Sequence, residues 1–72
     1  MSAENANNPL SNLDEIDQQI MEALRKDGRT PFAQIAEQLG VSPGMIRMRF
    51  NRLVEMELLK VVAIEILVVK FF

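Results

Sequence analysis

The sequence predicts a mainly α fold, a three-helix winged helix-turn-helix followed by a β-strand or short β-hairpin. Three observations carry that reading. Apolar residues recur at helical spacing over residues 13–26, 31–39 and 43–56, with short breaks between them. The second break, Leu39-Gly40-Val41-Ser42-Pro43, is so short that its two helices must cross at a steep angle. From Leu58 onward Val, Ile, Leu and Phe dominate, with no Gly or Pro, and this composition favours extended chain.

Size and composition narrow the possibilities. Seventy-two residues make one small domain, near the lower limit of what folds alone. With no Cys there is no disulfide framework and no thiolate metal site, so stability must come from helix packing, a partner subunit, or both. The formal charge of −2 hides a polarity: seven acidic and three basic residues up to Gly40, then five basic and three acidic. Local fields steer a polyanion more than net charge does, so this polarity is compatible with DNA binding. The polar N-terminus has neither the basic start nor the apolar core of a signal peptide. Residues 61–72 are apolar-rich but interrupted by Glu65 and Lys70, and too short to cross a bilayer as a helix. A cytoplasmic location with no membrane partner is expected.

Along the chain, residues 1–12 are rich in Asn, Ser and Ala and read as a disordered or flexible arm. The first helix is expected from Leu13 to Lys26. Asp14 is its N-cap, and Glu15 and Asp17 place negative charge at the positive end of the helix dipole. Ile16, Ile20, Ala23 and Leu24 form its apolar stripe, and Asp27-Gly28 ends it. Thr30 is expected to cap the second helix, with Pro31 at its first position and Phe32, Ile35, Ala36 and Leu39 on the buried face. Gly40 closes that helix, Ser42 caps the third, and Pro43 sits where a missing N–H costs nothing.

The third helix carries the chemistry. Steps of 100° put Ile46, Phe50 and Leu53 on one side, and Gly44, Arg47, Met48, Asn51 and Arg52 on the other. Arg49 falls on the flank and Met45 near the N-terminal edge, and no acidic residue lies between Ser42 and Val54. Arg can bind guanine O6 and N7 bidentately, and Asn can do the same for adenine. Gly44 leaves room for phosphate beside the partly positive helix end. A solvated basic face on a purely structural three-helix module is the plain alternative. Lys60, at the start of the tail strand, is a candidate phosphate contact from the wing.

Residues 13–60 thus form the DNA-binding unit, and residues 61–72 a strand or linker tail. The tail reads as one strand, or two strands around Glu65, without strict alternation, so both faces want cover. Val61, Val62, Ile64, Ile66 and Val68 are the candidate dimerisation residues.

Residues 13–64 resemble the N-terminal domain of the leucine-responsive/asparagine regulator (Lrp/AsnC) family of prokaryotic transcription regulators. The resemblance rests on L-D-E-I-D-Q-Q-I at residues 13–20, K-D-G-R at 26–29, I-A-E-Q-L-G-V-S-P at 35–43 and R-M-R-F-N-R-L at 47–53. It implies a third helix lying in the major groove, with Ser42, Gly44, Arg47, Met48, Asn51 and Arg52 matching its DNA-facing part. It also implies dimers or higher homo-oligomers on near-palindromic sites, and a nucleoid-associated cytoplasmic location. Two departures stand out. Members usually have Gly where Glu57 stands, and they continue into a second α/β domain that binds amino-acid effectors. Residues 65–72 do not resemble the usual linker, so the effector site is expected to be absent from this chain.

The leading expectation is therefore sequence-specific binding of double-stranded DNA in transcription regulation. Arg47, Met48 and Asn51 would read base edges, Ser42 and the backbone at Gly44 would position phosphate, and Arg49, Arg52 and Lys60 would add backbone affinity. Four phosphates neutralised by Arg47, Arg49, Arg52 and Lys60 imply a log–log salt slope of about −3.6 per subunit. The alternative is a truncated or fragmentary family member that assembles through residues 61–72 without recognising DNA itself. An enzyme is rejected. There is no His, Cys or Tyr, and Ser2, Ser11, Thr30 and Ser42 have no His partner. No phosphate-binding Gly-rich loop, metal-ligand spacing or cofactor motif appears.

Overall fold

The computed structural model describes residues 13–69, so the N-terminal arm and the last three residues of the tail lie outside the described residues. Five elements follow in order: α1 (Glu15–Lys26), α2 (Phe32–Leu39), α3 (Pro43–Glu55), β1 (Leu59–Val62) and β2 (Glu65–Val68). Three helices and an antiparallel hairpin make the mainly α winged helix-turn-helix that the sequence predicts.

α1 opens with a capping box. The Asp14 carboxylate accepts from the Asp17 N–H at 2.9 Å, and the Asp17 carboxylate accepts from the Asp14 N–H at 3.3 Å. After α1, the Asp27 carboxylate accepts from the Arg29 N–H at 3.0 Å, and the Thr30 hydroxyl donates to the Asp27 carbonyl at 2.6 Å. Thr30 is therefore occupied in tightening this loop and does not cap α2. The helix starts one residue later than expected, at Phe32, with Pro31 as N-cap and no side-chain cap bond. The Pro31 carbonyl accepts from Gln34 and Ile35, while the extended Pro31 backbone turns the chain into the helix.

α2 ends as the sequence requires. Gly40 takes a left-handed conformation with φ 72°, and the Val41 N–H donates to the Ala36 carbonyl at 3.0 Å. The paired bond from the Gly40 N–H to the Glu37 carbonyl completes a Schellman closure. A Cβ on Gly40 would meet nothing within 4 Å, so conformation rather than space calls for glycine. α3 begins under the Ser42 hydroxyl, which accepts from the Met45 N–H at 3.2 Å, with Pro43 in the first turn. It ends with the same closure as α2: Leu58 N–H to Leu53 carbonyl, and Glu57 N–H to Val54 carbonyl. Here the left-handed position belongs to Glu57, with φ 62°. That explains why glycine is the usual residue at this position in the family resembled.

Ile20, Met21 and Leu24 of α1, Ile35 and Ala36 of α2, and Ile46 and Leu53 of α3 form the core, joined by Leu13, Leu58 and Leu59. Leu53 and Leu58, the two ends of the second Schellman closure, are both in it, so α3 and β1 share one apolar centre. Val41 packs against the core from the bend between α2 and α3.

The hairpin turns at Ala63-Ile64 rather than around Glu65, which begins β2 and pairs with Val62. Ala63 accepts the positive φ, 57°, that a two-residue hairpin loop demands. β2 docks on the loop after α1, where the Ile66 N–H donates to the Gly28 carbonyl at 2.9 Å. A Cβ on Gly28 would lie 2.2 Å from the Ile66 carbonyl oxygen, so only glycine permits this approach. Among the described residues, no helix is long and apolar enough to cross a membrane.

Candidate nucleic-acid interface

α3 presents two unlike sides. Ile46 and Leu53 are fully buried, and half-buried Phe50 stacks against Phe32 with ring centroids 4.9 Å apart and planes tilted by 51°. Such aromatic pairs contribute about 1 kcal/mol beyond the area they bury. On the outward side, Gly44, Arg47, Met48, Asn51 and Arg52 line one shallow depression, with Glu55 at its C-terminal margin. The helical periodicity of the sequence therefore groups the first five as expected. Glu55 joins them because it lies one turn beyond Asn51 and Arg52.

The outward residues are not all loose. The Arg47 guanidinium lies over the Phe32 ring, 5.4 Å from its centroid. A cation over an aromatic face contributes about 0.5–1 kcal/mol when exposed, and here it also restricts the directions the arginine can take. Met48 is 60% exposed, a large apolar side chain facing solvent next to two arginines. Ser42 and Gly44 are exposed at the N-terminal end of α3, where Pro43 has no N–H and the Met45 N–H is taken by the Ser42 hydroxyl, which leaves the Gly44 N–H to meet an anion. Met45 is half-buried beside them.

Arg49 is held elsewhere. Its guanidinium donates to the carboxylates of both Asp14 and Asp17, the latter at 3.3 Å, and its side chain is only 18% exposed. The hydrogen bond from Arg49, reinforced by the Asp17 backbone N–H, holds the Asp14 carboxyl below the ordinary carboxylate range. The same bond raises Arg49 above its ordinary value. Asp17, 0% exposed, also lies 3.6 Å from the Arg52 guanidinium, whose side chain is 42% exposed. The sequence places Arg49 on the flank of the basic face but carries no local sign of its acidic partners, more than thirty residues away. Asp17 is the residue beside this site whose partners sequence reasoning missed. Read locally it is a first-turn acid, and only the crossing of α1 and α3 makes it a buried partner of two arginines.

Lys60 is exposed on β1 and lines a separate groove with Val54, Glu57, Leu59, Val61 and Val69, apart from the α3 depression. Of the candidate dimerisation residues, Ile66 and Val68 turn inward and pack against the chain's own core. Val61, Val62 and Ile64 are exposed, Ile64 at 76%, although Val61 shares the inner face of the hairpin with its partner Ile66. Because Ile66 turns its N–H towards Gly28, its cross-strand partner Val61 directs its own backbone groups to the outer edge of β1.

Residues 13–54 match the AsnC-type helix-turn-helix domain. The regulatory protein AsnC of Haemophilus influenzae is 41% identical over 51 residues, which cover 71% of this chain and 34% of that protein. The HTH-type transcriptional regulator LysM of Saccharolobus solfataricus is 42% identical over 55 residues, 76% of this chain and 39% of that protein. The HTH-type transcriptional regulator LrpA of Pyrococcus horikoshii is 49% identical over 43 residues, 60% of this chain and 30% of that protein. The chain thus spans about a third of the length of the curated relatives it matches. No solved structure matches it at a significant level.

Proposed function

Because this chain belongs to the AsnC-type helix-turn-helix domains, we propose that it binds double-stranded DNA sequence-specifically, in transcription regulation, through the outward side of α3. The observation that carries this reading is the single depression that gathers Gly44, Arg47, Met48, Asn51 and Arg52. It offers two forked cations and one amide, the groups suited to base edges and phosphates in a major groove. Arg47, poised over Phe32, Met48 and Asn51 read bases. Ser42, Met45 and Gly44, at the start of α3, receive a phosphate. Arg52 and, from the hairpin, Lys60 add backbone affinity. Arg49 acts differently from the sequence expectation, fixing α3 against α1 through Asp14 and Asp17. Three cations then remain to displace counterions in the groove, base-reading Arg47 together with Arg52 and Lys60, and the expected salt slope falls to about −2.7 per subunit.

A homodimer fits the same reading. The outer edge of β1 carries backbone groups at Leu59 and Val61 with no backbone partner among the described residues, flanked by exposed Val61, Val62 and Ile64. Such an edge is suited to pairing with a second copy. The relatives' names speak of transcriptional regulators, and the reading extends that role to this chain.

Binding-site selection with variants tests the assignment. Arg47→Ala is expected to relax the consensus at one or two base pairs, at a cost of about 1–3 kcal/mol there, whereas Lys60→Ala should weaken all sequences alike. An unchanged consensus for Arg47→Ala would overturn the role given to Arg47.

A further inference from the structure

We propose that Asp17, buried between α1 and α3, is a positioning residue for DNA recognition, holding Arg52 at a fixed place on the outward side of α3. The inference rests on the DNA-binding reading above. Asp17 is the one buried charged residue among the described residues, at 0% exposure. Burying a carboxylate is costly unless it is paired, and removal of one partner leaves the other charge uncompensated. Capping α1 does not explain that burial, because a capping box works as well at a solvent-exposed helix end. What burial adds is reach. From its place on α1, Asp17 meets Arg49 at 3.3 Å on the flank of α3 and Arg52 at 3.6 Å on its outward side.

The two arginines then divide the labour. Arg49, largely covered and shared between Asp14 and Asp17, locks α3 to α1. Arg52 is tethered by Asp17 but remains 42% exposed, and it lines the same depression as Arg47, Met48 and Asn51. Arg52 is ion-paired with Asp17 at 3.6 Å, and a planar arginine fork held in this way can still turn charge towards a phosphate. Phosphate contacts of this kind set the register of a protein on the duplex, and register decides which bases the neighbouring side chains meet. Asp17 therefore acts on specificity without touching DNA.

Asp17→Asn separates this role from two simpler ones. It keeps the size of the side chain and an acceptor for the Asp14 N–H but removes the charge. Affinities are measured by fluorescence anisotropy for a selected palindromic duplex and for a random duplex at one salt concentration. The expected result is a loss of preference. The selected-to-random affinity ratio falls about tenfold, the size of one well-placed charged contact, while affinity for the random duplex holds or rises as a negative charge is removed. A uniform gain on both duplexes would mean only relieved repulsion, and a uniform loss only a weaker fold. Either result, with its unchanged ratio, would overturn the proposal. Should Asp17→Asn not fold, nitrogen relaxation of the arginine side chains in the unaltered protein decides the matter. Arg52 is expected to be nearly as ordered as Arg49 and unlike exposed Arg29, and Arg29-like motion at Arg52 would overturn it. An unaltered chain with no preference between the duplexes would remove the DNA-reading assignment itself, an outcome distinct from a preference that Asp17→Asn leaves intact.

Discussion

Up to Gly40-Val41-Ser42-Pro43, each demanding backbone position is held by a residue suited to it; beyond α3 this agreement lapses. The first Schellman closure has Gly40 in the left-handed position, and the second has Glu57. The hairpin loop uses Ala63 where glycine would cost less, and the hairpin exposes Val61, Val62, Ile64, Leu67 and Val69. Meanwhile the helical unit buries or half-buries its large apolar residues except Met48, and pairs its one buried charge. The helices are organised around one core, to which the hairpin adds Leu59. The hairpin is organised around contacts beyond itself, with Gly28 on one edge and, on the proposed reading, a second copy on the other.

The largest effect that would break this contrast lies at the clamp between α1 and α3. Asp17→Ala removes the partner shared by Arg49 and Arg52 and half of the capping box, and unfolding in urea should show about 3 kcal/mol lost across the whole domain. A loss below about 1 kcal/mol would mean the clamp is not what joins the two helices. Next comes Gly28→Ala, which sets a Cβ against the Ile66 carbonyl. Overpacking of this kind costs about 1–3 kcal/mol, and the cost should fall on the hairpin. Amide exchange should rise in β1 and β2 while α2 and α3 keep their protection; uniform loss would contradict independent docking of the hairpin. Smaller and opposite in sign, Glu57→Gly should raise stability by about 1 kcal/mol through relief of the left-handed conformation, read as a higher urea midpoint. No gain would show that Glu57 sits there without strain.

The smallest effect is in acid. Arg49 lowers the folded-state pKa of Asp14 below its ordinary value of 3.8. The stability this pairing contributes is therefore full above that value and is lost as pH falls through the lowered one. Asp14→Asn should flatten this part of the acid unfolding curve by lowering stability near neutrality, while stability at the acid end changes little. An unchanged acid limb would show that Asp14 and Arg49 are not paired in solution.

Much of this was legible in the residues. Leu39-Gly40-Val41-Ser42-Pro43 announced the helix-turn-helix because its backbone demands are local and each is met by a side chain one to three residues away. The outward side of α3 followed from helical periodicity alone. What depended on distant contacts was hidden. Thr30 looked like a cap until Asp27 claimed its hydroxyl, and Gly28 looked like a simple helix stop until β2 packed against it. Arg49 looked like part of a basic face, since nothing within a turn of it reveals Asp14 and Asp17. The hairpin turn was misplaced at Glu65 because Ala63-Ile64 carries none of the Gly or Asn that usually marks such a loop.

The most direct test of α3 as a DNA-reading helix, clamped on one side and free on the other, is fluorescence anisotropy over a salt series. Selected palindromic and random duplexes would be titrated with the full chain. Tighter binding to the palindrome, with a log–log slope near −2.7 per subunit, is the expected result. Affinity that ignores salt, or equal affinity for both duplexes, would contradict it.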